Sequence, residues 1–316
     1  MDTTKVFDRH GGARQLLFAV AVLLCLTPWV TPPVALVLGL VVALFIGHPF
    51  LHLNHKATHV LLQVSVVGLG FGMNAATALK AGREGFYFTV VSILGTLTVG
   101  LLMGRFFKIE KKTSLLISGG TAICGGSAIA ALSPVIKAGE RQVSVALGVV
   151  FILNSVALFL FPVVGHWLGL SQMQFGLWSA IAIHDTSSVV GAAGRYGPEA
   201  LQIATTVKLA RALWIIPVSL VAALAFGGRG GKVKIPWFIG LFVVAILLNT
   251  WVQVPVLSHA IVGAAHAGLT LTLFLIGSGL SRQVLKNTGV RPLMQGVLLW
   301  VLISGAALWA VVSVVK

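Results

Sequence analysis

Long apolar runs joined by short polar connections dominate the chain, and their lengths predict membrane-crossing helices. The runs cover about 15–30, 33–47, 57–79, 85–107, 113–136, 141–165, 174–193, 200–226, 235–250, 257–280 and 290–315. A spanning helix needs roughly 20 residues, so the second and ninth are short and several others should tilt. The pattern predicts an all-α polytopic membrane protein of about nine to eleven membrane elements. Residues 1–316 read as one transmembrane domain, with 33–165 and 174–315 as approximate related halves and 1–30 as an additional N-terminal helix.

Two runs are interrupted. Ser118-Gly119-Gly120-Thr121-Ala122-Ile123-Cys124-Gly125-Gly126-Ser127 sets four glycines and three hydroxyls where a continuous helix would carry large apolar side chains. The second interruption centres on His184-Asp185-Thr186-Ser187-Ser188. At an offset of 60, Ala122–Ser127 lies over Ala182–Ser187, which makes the two breaks look related. A second internal likeness, at an offset of 207, lays Gly70-Phe71-Gly72-Met73-Asn74 and Gly82 over Gly277-Ser278-Gly279-Leu280-Ser281 and Gly289. If both interrupted elements cross, or both turn back, these copies run in opposite directions, as in the inverted repeats of transporters. Non-helical backbone at membrane depth is tolerated only where protein or a wet cavity surrounds it.

Composition excludes the soluble alternatives. The chain is 57% hydrophobic and only 9% charged, against about 25% charge in an ordinary soluble domain. A net charge of +15 would suggest nucleic acid in a soluble protein. Here the Lys and Arg residues sit mainly in short connections, where they set orientation and meet anionic lipids, so no nucleic-acid partner is expected. Basic residues cluster before residue 15, in 105–112, in 227–234 and in 281–291, while 27–32 and 249–257 carry none. With the N-terminus inside, alternation places all four clusters in the cytoplasm. Lys137 and Arg141 face the same side if both broken elements re-enter, and the outside if both cross. The first segment is followed by Pro28 and Pro32-Pro33 without a small-x-small cleavage pattern, and it is expected to be retained.

Asp185 is the strongest functional candidate, because it reads as the only acid outside a polar connection and acids near mid-bilayer are costly. It would serve as a proton- or cation-coupling group or as part of a substrate gate, or else as a structural acid bonded to Thr186, Ser188 or a basic partner. His184 beside it could address the same cavity only from a broken backbone. Lys208 and Arg211, three residues apart, share a helix face and would either attract an anion, snorkel, or pair with Glu199 or Asp185. Gly125, Gly126 and Ser127 open a second half-helix whose free amides suit an anion, with Thr186 and Ser187 as counterparts. Close packing of small residues is the competing explanation. Asn154 with Ser155 lies mid-span, where the Asn154 amide would either touch the substrate cavity or simply bond a neighbour's backbone, and Asn74 and Ser281 hold matched repeat positions. Arg282, near the end of the second copy, reads as an orienting cation. His48, His52, His55 and His59 fall at a segment boundary, so an interfacial role is expected rather than a metal site. Cys25 and Cys124 suggest no disulfide. Phosphate-loop, nucleophile-elbow and zinc-protease motifs are absent from the sequence, which argues against an enzyme and predicts no cofactor.

The stretches Gly119–Ala131, Phe151–Asn154, Ile183–Ala192 and Val207–Arg211 resemble the bacterial UPF0324 family, the YeiH-like family labelled sulfate exporters. The likeness covers nearly the whole chain. Gly126 occupies a position of the Cys-Gly-[Gly/Ala]-Ser pattern where relatives often carry Ala. The family is similar to the wider superfamily of cation:proton antiporters and anion transporters, which implies inverted repeats with discontinuous helices at the substrate site. It also implies that Cys124–Ser127, His184–Ser187, Lys208 and Arg211 form that site. The expectation is a multi-pass secondary transporter of the bacterial inner membrane. It would move a small anion such as sulfate or an organosulfonate, coupled to a proton or sodium ion. A passive anion channel and a non-transporting scaffold or sensor are the alternatives, and a homo-oligomer is left open.

Overall fold

The computed structural model describes residues 11–27, 29–226, 237–252, 255–279 and 289–315, and these are almost wholly helical. In chain order the helices are α1 (Gly11–Cys25), α2 (Pro32–Val41, continuing as a π-turn over Val42–Ile46), α3 (Leu51–Gly70), α4 (Ala75–Phe106), α5 (Lys111–Ala122), α6 (Gly126–Val135) and α7 (Glu140–Trp167). They continue with α8 (Gln172–Ala182), α9 (Thr186–Tyr196), α10 (Pro198–Ala212), α11 (Ile215–Ala225), α12 (Trp237–Val252), α13 (Pro255–Gly279) and α14 (Val290–Val314). Among the described residues, five spans are long and apolar enough to cross a membrane: most of α4, then α7, α10 with α11, α13 and α14. The other runs are shorter, broken, or, like α3, diluted by Asn54, Lys56 and histidines.

One connection is corrected. The sequence places a break at about 80–84, where Lys80, Arg83 and Glu84 interrupt the apolar pattern, but α4 runs unbroken from Ala75 to Phe106. The break falls earlier, at 71–74. Lys, Arg and Glu are good helix formers and lower hydropathy without ending a helix, whereas Gly72 and Asn74 favour turns. Glu84 therefore lies within a helix, and Asp185 is not the only acid outside a connection.

Packing groups the helices into two units: residues Met1–Ala75 with Trp237–Leu285, and residues Ala76–Pro236 with Lys286–Lys316. In the first unit α13 packs on α2 and α3. A side chain on Gly277 would strike the carbonyl of Leu36, so these backbones approach as closely as small residues allow. Helices α3 and α13 run antiparallel, with Asn54 donating to the Leu275 carbonyl at 2.9 Å and Gly68 lying against Ala265 toward the opposite ends.

The second unit is built around two helical hairpins. Helix α6 folds back along α5: Gly120 faces Ile129, Gly119 faces Leu132, and at the open end Lys112 Nζ donates to the Lys137 carbonyl at 2.7 Å. Helix α9 likewise folds back along α8, with the rings of Phe175 and Tyr196 stacked at 3.8 Å near the open end. Helix α7 connects the open ends of the two hairpins, and Gln174 of the second donates to the carbonyl of Val315 beyond α14 at 2.8 Å. The hairpins therefore enter this unit from opposite ends.

Candidate functional site at the hairpin tips

Each tip is made by residues that cannot continue a helix. At the first, Ile123 leaves the helical region (φ −118°, ψ −91°) and Gly125 takes φ +58°, ψ −122°, a conformation costly for any residue with a Cβ. At the second, Ile183 and Asp185 are extended (φ −91°, ψ 125° and φ −99°, ψ 143°). The tips meet: a Cβ on Gly125 would sit 3.4 Å from the backbone carbonyl of His184. Ile123, Cys124, His184, Ser187 and Ser188 are all buried there.

The two helix starts at the tips differ. Asp185 is the N-cap of α9, where its Oδ2 accepts from the Ser187 amide at 3.1 Å, the Ser188 amide at 3.4 Å and the Ser187 hydroxyl. Helix α6 has no side-chain cap, and Ser127 in its first turn is exposed. Its first amides are thus left to another acceptor, since the first four N–H groups of a helix have no partner within it.

The two helix ends at the tips are held by buried cations from one helix, α10. Lys208 Nζ donates to the carbonyls of Ile183 at 2.7 Å and Ala180 at 3.2 Å, closing α8. Arg211 Nε donates to the Ala122 carbonyl at 2.7 Å, closing α5, and its Nη1 donates to the Ser92 hydroxyl at 2.8 Å. Both side chains have 0% exposure, so these carbonyls and the negative ends of the two helix dipoles replace water around the cations. The spacing of three residues, which puts both cations on one face of α10, places one on each hairpin. The partners of the two cations are these carbonyls and the Ser92 hydroxyl, not Glu199.

Asn154, on α7, ties the second tip. Its Oδ1 accepts from the amides of His184 at 3.0 Å and Asp185 at 3.3 Å. Its Nδ2, both ring nitrogens of His184, Arg211 Nη2 and Thr121 Oγ1 are buried and make no hydrogen bond among the described residues. Counting about half an elementary charge for each helix terminus, and taking Lys208, Arg211 and Asp185 as ionised, the tips carry a surplus of about one positive charge.

A family model described as "Conserved hypothetical protein 698" matches residues 15–296. A "UPF0324 membrane protein" of Bacteroides thetaiotaomicron is 57% identical over 87% of this chain and 84% of its own. The chain belongs to the UPF0324 family. Proteins carrying the same description in Porphyromonas gingivalis and Shewanella oneidensis are 53% and 47% identical, over 89% and 98% of this chain and 87% and 98% of theirs. No solved structure matches. Bacterial relatives and several spanning helices make it a multi-pass protein of the bacterial inner membrane.

The structure brings Cys124, Gly125, Asn154, His184, Asp185, Lys208 and Arg211 together, with Gly126, Ser127, Thr186 and Ser187 opening the two return helices. Ser155 donates to the Phe151 carbonyl at 2.8 Å within its own helix. Asn74 lies in the other unit, lining a depression of about 470 Å³ with Asn249, Ser258 and His259. Ser281 and Arg282 lie outside the described residues, as do the side chains of His52 and His55. His48 Nδ1 accepts from the Phe50 amide at 3.0 Å, and its ring packs 4.8 Å from that of Phe18. Among the described residues, no group of three or more His, Cys, Asp or Glu could hold a metal ion.

Sequence reasoning missed Trp300, whose Nε1 donates to the Ala182 carbonyl at 3.0 Å, and Ser92, the second partner of Arg211. It also missed Gln295, whose Nε2 donates to Gly100 O at 2.8 Å and to the hydroxyls of Ser114 at 2.9 Å and Ser118 at 3.3 Å, binding α5 to α4 and α14. A polar residue inside an apolar run was the available signal for Ser92 and Gln295.

Proposed function

We propose that this protein is a secondary transporter of a small anion, such as sulfate or an organosulfonate, coupled to a proton or sodium ion. The observation that carries the reading is the asymmetry of the two meeting tips: one return helix is capped by its own carboxylate, and the other starts uncapped beside an exposed serine. In this reading the amides of Gly126 and Ser127 and the Ser127 hydroxyl hold the anion, drawn by the surplus positive charge. Lys208 and Arg211 contribute field from behind the helix ends they close. Thr186, His184 and Asn154 offer further polar groups toward the same place.

Asp185 is the coupling group of this proposal. A proton or cation arriving there would compete with the three donors on Oδ2, loosening the start of α9 and thereby the second tip. We take both hairpins as re-entrant and the two copies related by the offset of 207 as inverted repeats. The fold-back of each hairpin and the antiparallel run of α3 and α13 support this.

Purified protein in liposomes, offered sulfate, small sulfonates and other anions under imposed proton or sodium gradients, tests the reading. Saturable uptake that depends on one gradient is expected. Asp185→Asn should insert normally, because Asn also caps helices, yet lose that dependence. Uptake with unchanged gradient dependence in Asp185→Asn removes the coupling role, and silence toward every anion removes the proposal.

A further inference from the structure

At the open end of the first hairpin, away from the tips, lies a depression of about 220 Å³ lined by Lys108, Glu110, Thr113, Arg141, Gln142, Gly289 and Arg291, among others. The positive-inside rule assigns this end to the cytoplasm. Orientation alone would require only that cations lie somewhere on that side. Here three cations from three separate segments line one concavity, and three helices begin around it: α5 after Glu110, α7 after Gly139 and α14 after Gly289. The positive ends of three helix dipoles thus add to three side-chain charges. The carboxylate in the lining is engaged, with Glu110 Oε2 accepting from Gln142 Nε2 at 2.6 Å while Gln142 Oε1 accepts from the Gly139 amide at 2.9 Å. The lining side chains therefore carry a net charge of +2, from three cations and one acid.

We infer that this depression is a binding site for a phosphate-bearing anion, gripped by the guanidinium groups of Arg141 and Arg291 with Lys108 at the rim. Guanidinium matches phosphate oxygens in pairs, and a cavity of this size is smaller than the roughly 300–1,000 Å³ of larger ligand sites. The phosphate could belong to a membrane lipid or be free in the cytoplasm. An apolar stripe starts at its edge and descends α14, with Val290 80%, Met294 40%, Leu298 40% and Val301 58% exposed, spaced so that acyl chains attached to the headgroup could lie along it. This site is separate from the anion slot proposed at the tips.

The test uses the whole protein in detergent, with phosphatidylglycerol, phosphatidylcholine, inorganic phosphate and pyrophosphate as probes. Bound lipid is read by native mass spectrometry and bound phosphate by calorimetry. Wild type should retain phosphatidylglycerol over phosphatidylcholine, and Arg141→Gln/Arg291→Gln should weaken retention on the order of 20-fold. Glu110→Gln, which keeps an acceptor for Gln142, should strengthen it, a gain that misfolding would not produce. Phosphate or pyrophosphate binding that the double variant loses, with no lipid preference, assigns the site to a free anion. Equal retention of both lipids together with no binding of phosphate or pyrophosphate, or identical behaviour of wild type and double variant toward all four probes, overturns the inference.

Discussion

Replacing Asn154 with Ala tests whether the second tip is held by one side chain across the core. Asn154 Oδ1 is the acceptor for two buried amides, those of His184 and Asp185, at 3.0 and 3.3 Å. A buried donor left without a partner costs about 1–3 kcal/mol, so the two together put the loss at about 2–6 kcal/mol. With roughly 1.4 kcal/mol per tenfold, the tip should open at least about 30-fold more often. Hydrogen exchange followed by mass spectrometry reads this directly. Peptides covering 180–190 should exchange faster in Asn154→Ala by that factor or more, while peptides over 126–135 keep their protection. Asn154→Asp retains an acceptor oxygen and should stay closer to wild type than the alanine variant. Unchanged exchange at 180–190 in Asn154→Ala would refute the reasoning, since the two amides would then have another acceptor.

Gly125→Ala should destabilise the protein by about 1–3 kcal/mol through backbone strain at φ +58°, seen as a lower unfolding temperature in detergent, even though a Cβ there would meet no atom closer than 3.2 Å. Asp185→Ala should lose about 1 kcal/mol as the cap of α9 disappears, whereas Asp185→Asn should hold stability within a few tenths, and equal losses in the two variants would show that capping is not what the side chain supplies. Trp300→Phe keeps the aromatic packing but removes the donor to Ala182, and should cost about 1 kcal/mol by the same thermal assay. Gly277→Val should separate α2 from α13 and lower the yield of folded protein in size-exclusion chromatography, because its side chain would strike the Leu36 carbonyl.

Much of the architecture is legible in the order of residues. Helix-length apolar runs announce the spanning helices, because the cost of exposing a backbone polar group to lipid is local and leaves few options. The breaks at 118–127 and 182–190 are legible for the same kind of reason: glycine and hydroxyl residues weaken a helix wherever it lies, and Asp185 followed by Thr, Ser and Ser is a helix-start signal. At 80–84 the drop in hydropathy is not a break, because Lys, Arg and Glu are compatible with a helix and α4 runs through them. What sequence alone could not decide is which groups meet. Arg211 reaches a carbonyl 89 residues away, Lys208 one 25 residues away, and Asn154 amides 30 and 31 residues away. Local preference fixes where the chain stops being helical. Only tertiary packing, which must satisfy each buried charge and amide at once, decides that two such stops face each other and that α10 supplies a cation to each.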